Sequence, residues 1–434
     1  MRKFLKLWLP LLFLVLFTGL NAQIAINSPY TRFGIGEIQQ QGFGLSRSMG
    51  GTSIAFRFDD QINQLNPASY SAQDTLSFIF DFGLFGEFRT LRTQFEQVKR
   101  NDFNMGNLAI GFPVTRWWGA SVGILPYSRI GYNMLSEGVL PNTGDMYQIY
   151  YKGNGNLNNF YIGSSFRFGR HIAVGANLSY IFGTYSRDKN VYLPRTNSSL
   201  PREGSAQTQI INKSTIGDVL FDFGFQGFTK LGNNSNLNIG ITLNNKTKLS
   251  GEYTSLVINN YPVSVDTMER IENQKGSITI PMRFGAGVLY NYKEKLLLAL
   301  DYIQQDWGTA RFFGEVDSLT VSSSVRFGLQ YTPVALTEIK RAAYWQRISF
   351  RTGAYFNNTY LDINGQHIKD YGMTFGIGIP WKNERNLLTK TSFNLSYQLG
   401  WRGTLNDGLV KETYHIISVG LTLYDFWFIK PKYD

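Results

Sequence analysis

Apolar and polar residues alternate one by one through segment after segment of this chain, and no stretch after residue 22 is apolar enough to cross a bilayer as a helix. Between residues 392 and 402, Phe393, Leu395, Tyr397, Leu399 and Trp401 fall on one side of a period-two backbone. Ser392, Asn394, Ser396, Gln398, Gly400 and Arg402 fall on the other. Leu237, Ile239, Ile241 and Leu243 are set in the same way against Asn236, Asn238, Gly240, Thr242 and Asn244, and Ile417, Val419, Leu421 and Leu423 against Ser418, Gly420, Thr422 and Tyr424. A soluble sheet also alternates where one face covers a core, so a single run would decide little. Recurrence along the whole chain points to strands with one face in lipid and one in a wet interior.

Alternating stretches bounded by Gly, Asn, Asp and Pro number fourteen between residues 75 and 427, and their connections alternate in length. Tight junctions fall at 115–116, 169–170, 231–235 and 291–294, and longer polar ones at 133–156, 187–207 and 250–275. Short turns at one end and long loops at the other are the pattern of a transmembrane antiparallel β-barrel of about fourteen strands. Residues 333–344 fall on the short side yet are long for a turn, with room for a short helix.

Aromatic residues make up 15% of the 434 residues while apolar residues overall reach only 43%, a combination that suits aromatic girdles, a lipid-facing band and a polar lumen. The chain has no cysteine, which excludes disulfides, thiol nucleophiles and thiolate metal sites. Its net charge of +11 is spread over loops and inward positions rather than gathered in a stripe, so nucleic acid is not expected as a partner. Residues 1–22 read as a secretory signal: Arg2, Lys3 and Lys6 precede an apolar run, and Leu20-Asn21-Ala22 offers a small-residue cleavage site. With no cysteine after it, a lipid anchor is not expected.

Residues 23–73 break the barrel pattern. They are rich in Gly, Gln, Asn and Ser, yet Phe33, Phe43, Leu45, Met49, Ile54, Phe56 and Phe58 are too many large apolar groups for a solvated tail. We therefore expect them to fold inside the barrel as an N-terminal plug, with residues 74–434 forming the wall. Gly44-Leu45-Ser46-Arg47-Ser48-Met49-Gly50-Gly51, followed by Ala55, Asp59-Asp60, Asn63 and Asn66-Pro67-Ala68, resembles the N-terminal hatch of the FadL/TodX-like family of outer-membrane transporters. The preceding Asn27-Ser28-Pro29-Tyr30-Thr31-Arg32-Phe33-Gly34-Ile35-Gly36 resembles the version of that family found in Bacteroidota, and the closing Asp425-Phe426-Trp427-Phe428-Ile429-Lys430 is similar to the end of the same barrels. Ser46 departs from the family pattern, which usually has glycine there.

The resemblance implies a fourteen-stranded barrel in the outer membrane of a Gram-negative bacterium, in contact with its lipid and lipopolysaccharide. Arg47, Gly50, Gly51, Asn66, Pro67 and Ala68 become the hatch residues, and hydrophobic molecules such as long-chain fatty acids the ligand. In that family the third strand kinks inward and opens a lateral gap. Pro126, inside the third alternating stretch here, cannot donate to a ladder, so Pro126 and Tyr127 are the expected place of such a gap or of an ordinary bulge. By alternation Arg326 and Arg402, and with them Arg167 and Arg283, point inward as candidates for an anionic head group or as partners of carboxylates such as Asp59, Asp60, Asp222 and Asp301. The glycines of Gly285-Ala286-Gly287 read as a small-residue patch against the plug. His171, His367 and His415 lie far apart with no metal-ligand spacing, no Gly-x-Ser-x-Gly elbow occurs, and neither enzymatic activity nor a cofactor or metal is expected. Two functions follow: passive uptake of hydrophobic compounds with lateral exit, or a non-transporting barrel subunit that binds other outer-membrane proteins in a secretion or barrel-assembly complex.

Overall fold

A computed structural model describes residues 28–40, 42–141, 144, 146–192, 208–260, 265–317, 319–335, 342–381 and 390–426. The signal sequence expected at 1–22 and the end of the closing motif, from Trp427 onward, lie outside the described residues. So do 336–341 of the long junction; beyond them a 3-10 turn spans Tyr344–Arg347.

The wall runs β1 Ser77–Arg92, β2 Gln97–Pro113, β3 Trp118–Val139, β4 Met146–Phe168, β5 Ile172–Tyr192 and β6 Thr208–Leu231. It continues with β7 (Ser235–Asn244 and Thr247–Asn260), β8 (Val265–Ile280 and Arg283–Tyr292), β9 Leu296–Asp306 and β10 Val321–Tyr331. β11 Ser349–Ile363, β12 Gln366–Pro380, β13 Ser392–Arg402 and β14 Lys411–Phe426 complete it. Neighbours in sequence pair antiparallel, and β14 returns to β1 from Lys411↔Arg92 to Phe426↔Ser77. The result is a closed fourteen-stranded barrel with no free sheet end. The interruptions in β7 and β8 face each other: Asn244 pairs with Arg283 and Thr247 with Ile280. Pro281 sits between, where its missing N–H would leave a rung unmade, and its carbonyl accepts instead from Gln305 Nε2 at 2.9 Å.

Burial is inverted relative to a soluble sheet. On β6, Val219, Phe221, Phe223 and Phe225 are 39%, 43%, 46% and 38% exposed, while Leu220, Asp222, Gly224 and Gln226 between them are buried. Large apolar groups facing outward and polar ones inward satisfy lipid on one side and a filled lumen on the other.

Several strands are longer than their alternation. Residues 133–156 and 250–275, expected as loops, are largely hairpin: β3 and β4 stay paired to Val139↔Met146, and β7 and β8 to Asn260↔Val265. Beyond the lipid band both faces of a strand are wet, so period-two hydrophobicity vanishes while the ladder continues. We call this the loop end; the opposite end, where residues 74–76 lead into β1, is the turn end.

Candidate functional site in the barrel lumen

Residues 28–40 and 42–73 make their contacts with inward-facing residues of the wall. A 3-10 turn at Pro29–Arg32 starts the segment, Glu37–Ile38 forms a two-residue strand, α1 spans Gly44–Ser48, and a second 3-10 helix spans Pro67–Ala72. Asn66 caps the last of these, its Oδ1 accepting from the Ala68 N–H at 3.1 Å while its Nδ2 donates to the Ile54 carbonyl at 2.7 Å. Pro67 at the first helical position suits that start. The Ala68 carbonyl accepts from Ser165 Oγ of β4 at 2.7 Å. Gly50 and Gly51 turn the chain with φ of +67° and +82°. A Cβ on Gly50 would stand 2.5 Å from the Phe327 carbonyl oxygen, so the segment touches the wall backbone to backbone. Gly285 and Gly287 clear room in the same way for Ile54.

Carboxylates hold the segment, by two different means. Asp301 of β9 accepts from the backbone N–H groups of Ser53 and Ile54 at 2.7 and 3.0 Å, and Lys390 bridges Asp59 and Asp74 near the turn end. Nearer the loop end, Glu37 lies between Arg89 of β1 at 3.0 Å and Arg402 of β13 at 2.6 Å. Arg89, only 3% exposed, also binds Glu87 and, at 2.7 Å, Glu412, which accepts from Ser28 Oγ. Arg402 reaches Asp370 at 3.4 Å as well. Burial alone would raise the Glu37 pKa, but Arg402 and Arg89 outweigh it and hold the carboxyl at about 2. Sequence reading singled out Arg402 but not Glu37, Glu87, Arg89 or Glu412. Glu87 and Arg89 were legible, since they alternate with Phe82, Leu84 and Phe88; Glu37 sits in a stretch without periodicity.

Above this network the lumen is apolar and filled by the chain itself. Tyr30 and Ile35 are buried among Ile130, Tyr132, Ile181, Leu249, Trp307 and Tyr360, with Phe33 and Ile38 packed alongside. Beside it a cavity of about 240 Å³ remains, lined by rings such as Tyr30, Phe85 and Tyr360 as well as by Glu37, Arg47, Arg283, Arg326, Asp370 and Arg402. Arg47 donates from Nε to the Gly42 carbonyl at 3.2 Å and stacks over Phe85; Arg326 donates from Nη1 to the Gly51 carbonyl at 3.1 Å. Arg167 shares the inward parity of Tyr161, Gly163 and Ser165 and donates from Nη2 to the Arg116 carbonyl at 2.8 Å.

At Pro126 the wall changes partners. β3 pairs with β2 only between Gly119↔Pro113 and Ile124↔Leu108 among the described residues, although β2 reaches back to Gln97. Toward β4 the pairing continues, with a register shift between Pro126 and Ser128 that leaves Tyr127 as the extra residue. The edge freed from β2 is taken by the N-terminal segment: Glu37 and Ile38 pair with Arg129 and Ser128, and the Gln39 N–H donates to the Tyr127 carbonyl at 3.0 Å. Arg129 reaches across to Asp102 of β2. Among the described residues no three His, Asp or Glu side chains gather as metal ligands.

A family model described as BamG matches residues 3–434. Among solved structures the chain is similar to a FadL homologue of Pseudomonas aeruginosa, 12% identical with a TM-score of 0.58 over 90% of this chain and 100% of that one. It is similar also to the Pseudomonas putida toluene transporter TodX (15% identical, TM-score 0.54, 90% and 100% covered). A third is the Ralstonia pickettii toluene transporter TbuX (14% identical, TM-score 0.53, 88% and 98% covered). Identities this low speak for a shared fold alone. No curated protein sequence matches. With a match that spans nearly its whole length, the chain belongs to the BamG family, built on the barrel fold of the FadL-type channels.

Proposed function

We propose that this protein is a plugged outer-membrane barrel of a Gram-negative bacterium that serves as a subunit of a protein-secretion or barrel-assembly complex and carries no cargo through its lumen. Residues 23–73 are the plug, and other outer-membrane proteins are the partners. One observation carries this reading: the apolar part of the lumen is occupied by Tyr30, Phe33 and Ile35 of the chain itself, tied down through Glu37 to Arg89 and Arg402. Breaking a buried ion pair by removing one partner costs roughly 3–5 kcal/mol. An apolar ligand burying about 200 Å² gains about 5 kcal/mol at 25 cal/mol per Å². It would spend that gain on the ion pairs alone, before displacing the rings. Membership of the BamG family agrees with this reading.

Passive uptake of hydrophobic compounds is the second reading, and the released edge of β3 at Pro126 and Tyr127 favours it, because a ladder that ends inside a wall is where a lateral exit would lie. In that case Gly50, Gly51 and Asn66 to Ala68 turn the hatch, and Arg326 and Arg402 meet a head group. Purification in mild detergent from the native membrane, with mass spectrometry of bound protein and lipid, separates the two. An outer-membrane protein present at fixed stoichiometry with no apolar small molecule supports the subunit. A lone barrel carrying a fatty acid or hydrocarbon overturns it in favour of uptake.

A further inference from the structure

We propose that the lumen cavity binds a compact oxyanion of the phosphate class between Arg283 and Arg326. Both side chains line the same cavity, on β8 and β10 with β9 between them. Arg283 donates from Nε to Asn244 Oδ1 at 2.9 Å; Arg326 donates from Nε to Ser324 Oγ at 3.0 Å and from Nη1 to the Gly51 carbonyl. Both Nη groups of Arg283 and Nη2 of Arg326 find no acceptor among the described residues, and no carboxylate lies within ion-pair distance of either guanidinium there. Arg89 and Arg402, on the arc from β13 to β1, each hold carboxylates. Asp301 and Asp222 are acids that act on the two arginines through space, and neither hydrogen-bonds to them; Asp301 Oδ1 is buried with no hydrogen-bond partner among the described residues. Asp301 gives Oδ2 to the backbone of Ser53 and Ile54, and Asp222 accepts from Ser179 and Asn244.

Glu37 and Asp370 share the cavity lining but are taken up by Arg89 and Arg402, so the open Nη groups of Arg283 and Arg326 face the space without a carboxylate hydrogen-bonded to them, and an oxyanion placed between them would fill those donors. Free guanidinium N–H groups suit an oxyanion with several acceptor oxygens, and two of them balance a dianion. Ser322 and Ser323 add hydroxyls to the same lining. A long-chain carboxylate fits less well, because a space of about 240 Å³ does not hold its whole tail and the neighbouring apolar space is filled by Tyr30, Phe33 and Ile35. A volume of about 240 Å³ takes inorganic phosphate with its water, or a small phosphate monoester, or a lipid phosphate whose chains stay outside.

The test is calorimetric titration of the full-length barrel in a phosphate-free, uncharged detergent, with inorganic phosphate and with glycerol phosphate, beside phosphorus analysis of co-purified lipid. Saturable binding of either probe, weakened roughly tenfold or more in Arg283→Gln/Arg326→Gln and less in Arg326→Lys, is the expected result. Saturable binding of free phosphate points to a soluble anion; a stoichiometric bound phospholipid, lost in the double variant, points to a head group. Heat-dependent gel migration checks that the variants are folded barrels. No saturable binding by wild type together with no bound phospholipid overturns the proposal, as does undiminished binding by a folded double variant.

Discussion

Glu37 ties two distant strands to a segment that has almost no regular structure of its own. Replacing it by glutamine leaves the Arg89 and Arg402 charges facing each other with one counter-charge fewer. We expect Glu37→Gln to loosen the N-terminal segment by on the order of 3 kcal/mol, read as faster protease cleavage within residues 28–40 while the barrel itself keeps its heat-resistant gel mobility. The pH dependence has a definite sign. A carboxyl held at about 2 in the fold against an ordinary value of 4.5 contributes stability above that ordinary value and loses it as pH falls through about 2. Asp60 is opposite: burial, then the neighbouring Asp59 charge, push it from 3.8 to about 7. Its contribution is present below the ordinary value and lost as pH rises through about 7. Thermal melts of Asp60→Asn should therefore lack part of the decline that wild type shows between about pH 4 and pH 7. At this scale sequence reading singled out Gly50, Gly51 and Asn66 through their likeness to a known hatch. It left out Glu37, because which arginines meet it depends on how β1 and β13 come together across the chain.

The number of strands was legible because the lipid band imposes period two on every crossing; their lengths at the loop end were not, because water on both faces erases the period. β3 combines the two cases. Pro126 marked a disturbance in the sequence, but not that the disturbance is one-sided, nor that Glu37–Ile38 supplies the missing neighbour. That pairing offers a direct test, since the chain has no native cysteine. Ile38 and Ser128 are Cα partners in the ladder, so Ile38→Cys/Ser128→Cys should form a disulfide under oxidation, seen as a mobility shift on denaturing gels reversed by reductant. Locking the segment to β3 should leave an assembly subunit functional and abolish uptake in a channel. The cross-linked protein thus distinguishes the two functions by element rather than by ligand.

Over the whole molecule, the inverted burial makes its own prediction. Phe223 is 46% exposed on the outer face of β6, a position where charge would be harmless in water. In a bilayer an arginine there costs roughly 2–4 kcal/mol near the midplane. We expect Phe223→Arg to lower unfolding stability in lipid vesicles by that amount, measured by denaturant titration, and Phe221→Arg to behave alike; indifference to both would remove the bilayer from that face. The fourteen-strand ring also has a consequence for how the protein is made. The seam between β14 and β1 joins the last segment of the wall to be synthesised to the first, and it encloses residues that precede both. Those residues, joined to the wall at Ser77, bear the Glu37 charge that belongs deep among Arg89 and Arg402. Entering a finished ring would carry that charge past the rings and wall glycines of the turn end. Wrapping the wall around a segment already in place avoids the passage. Such a barrel would form by templated closure, with residues 28–40 and 42–73 as the mandrel on which the sheet is rolled.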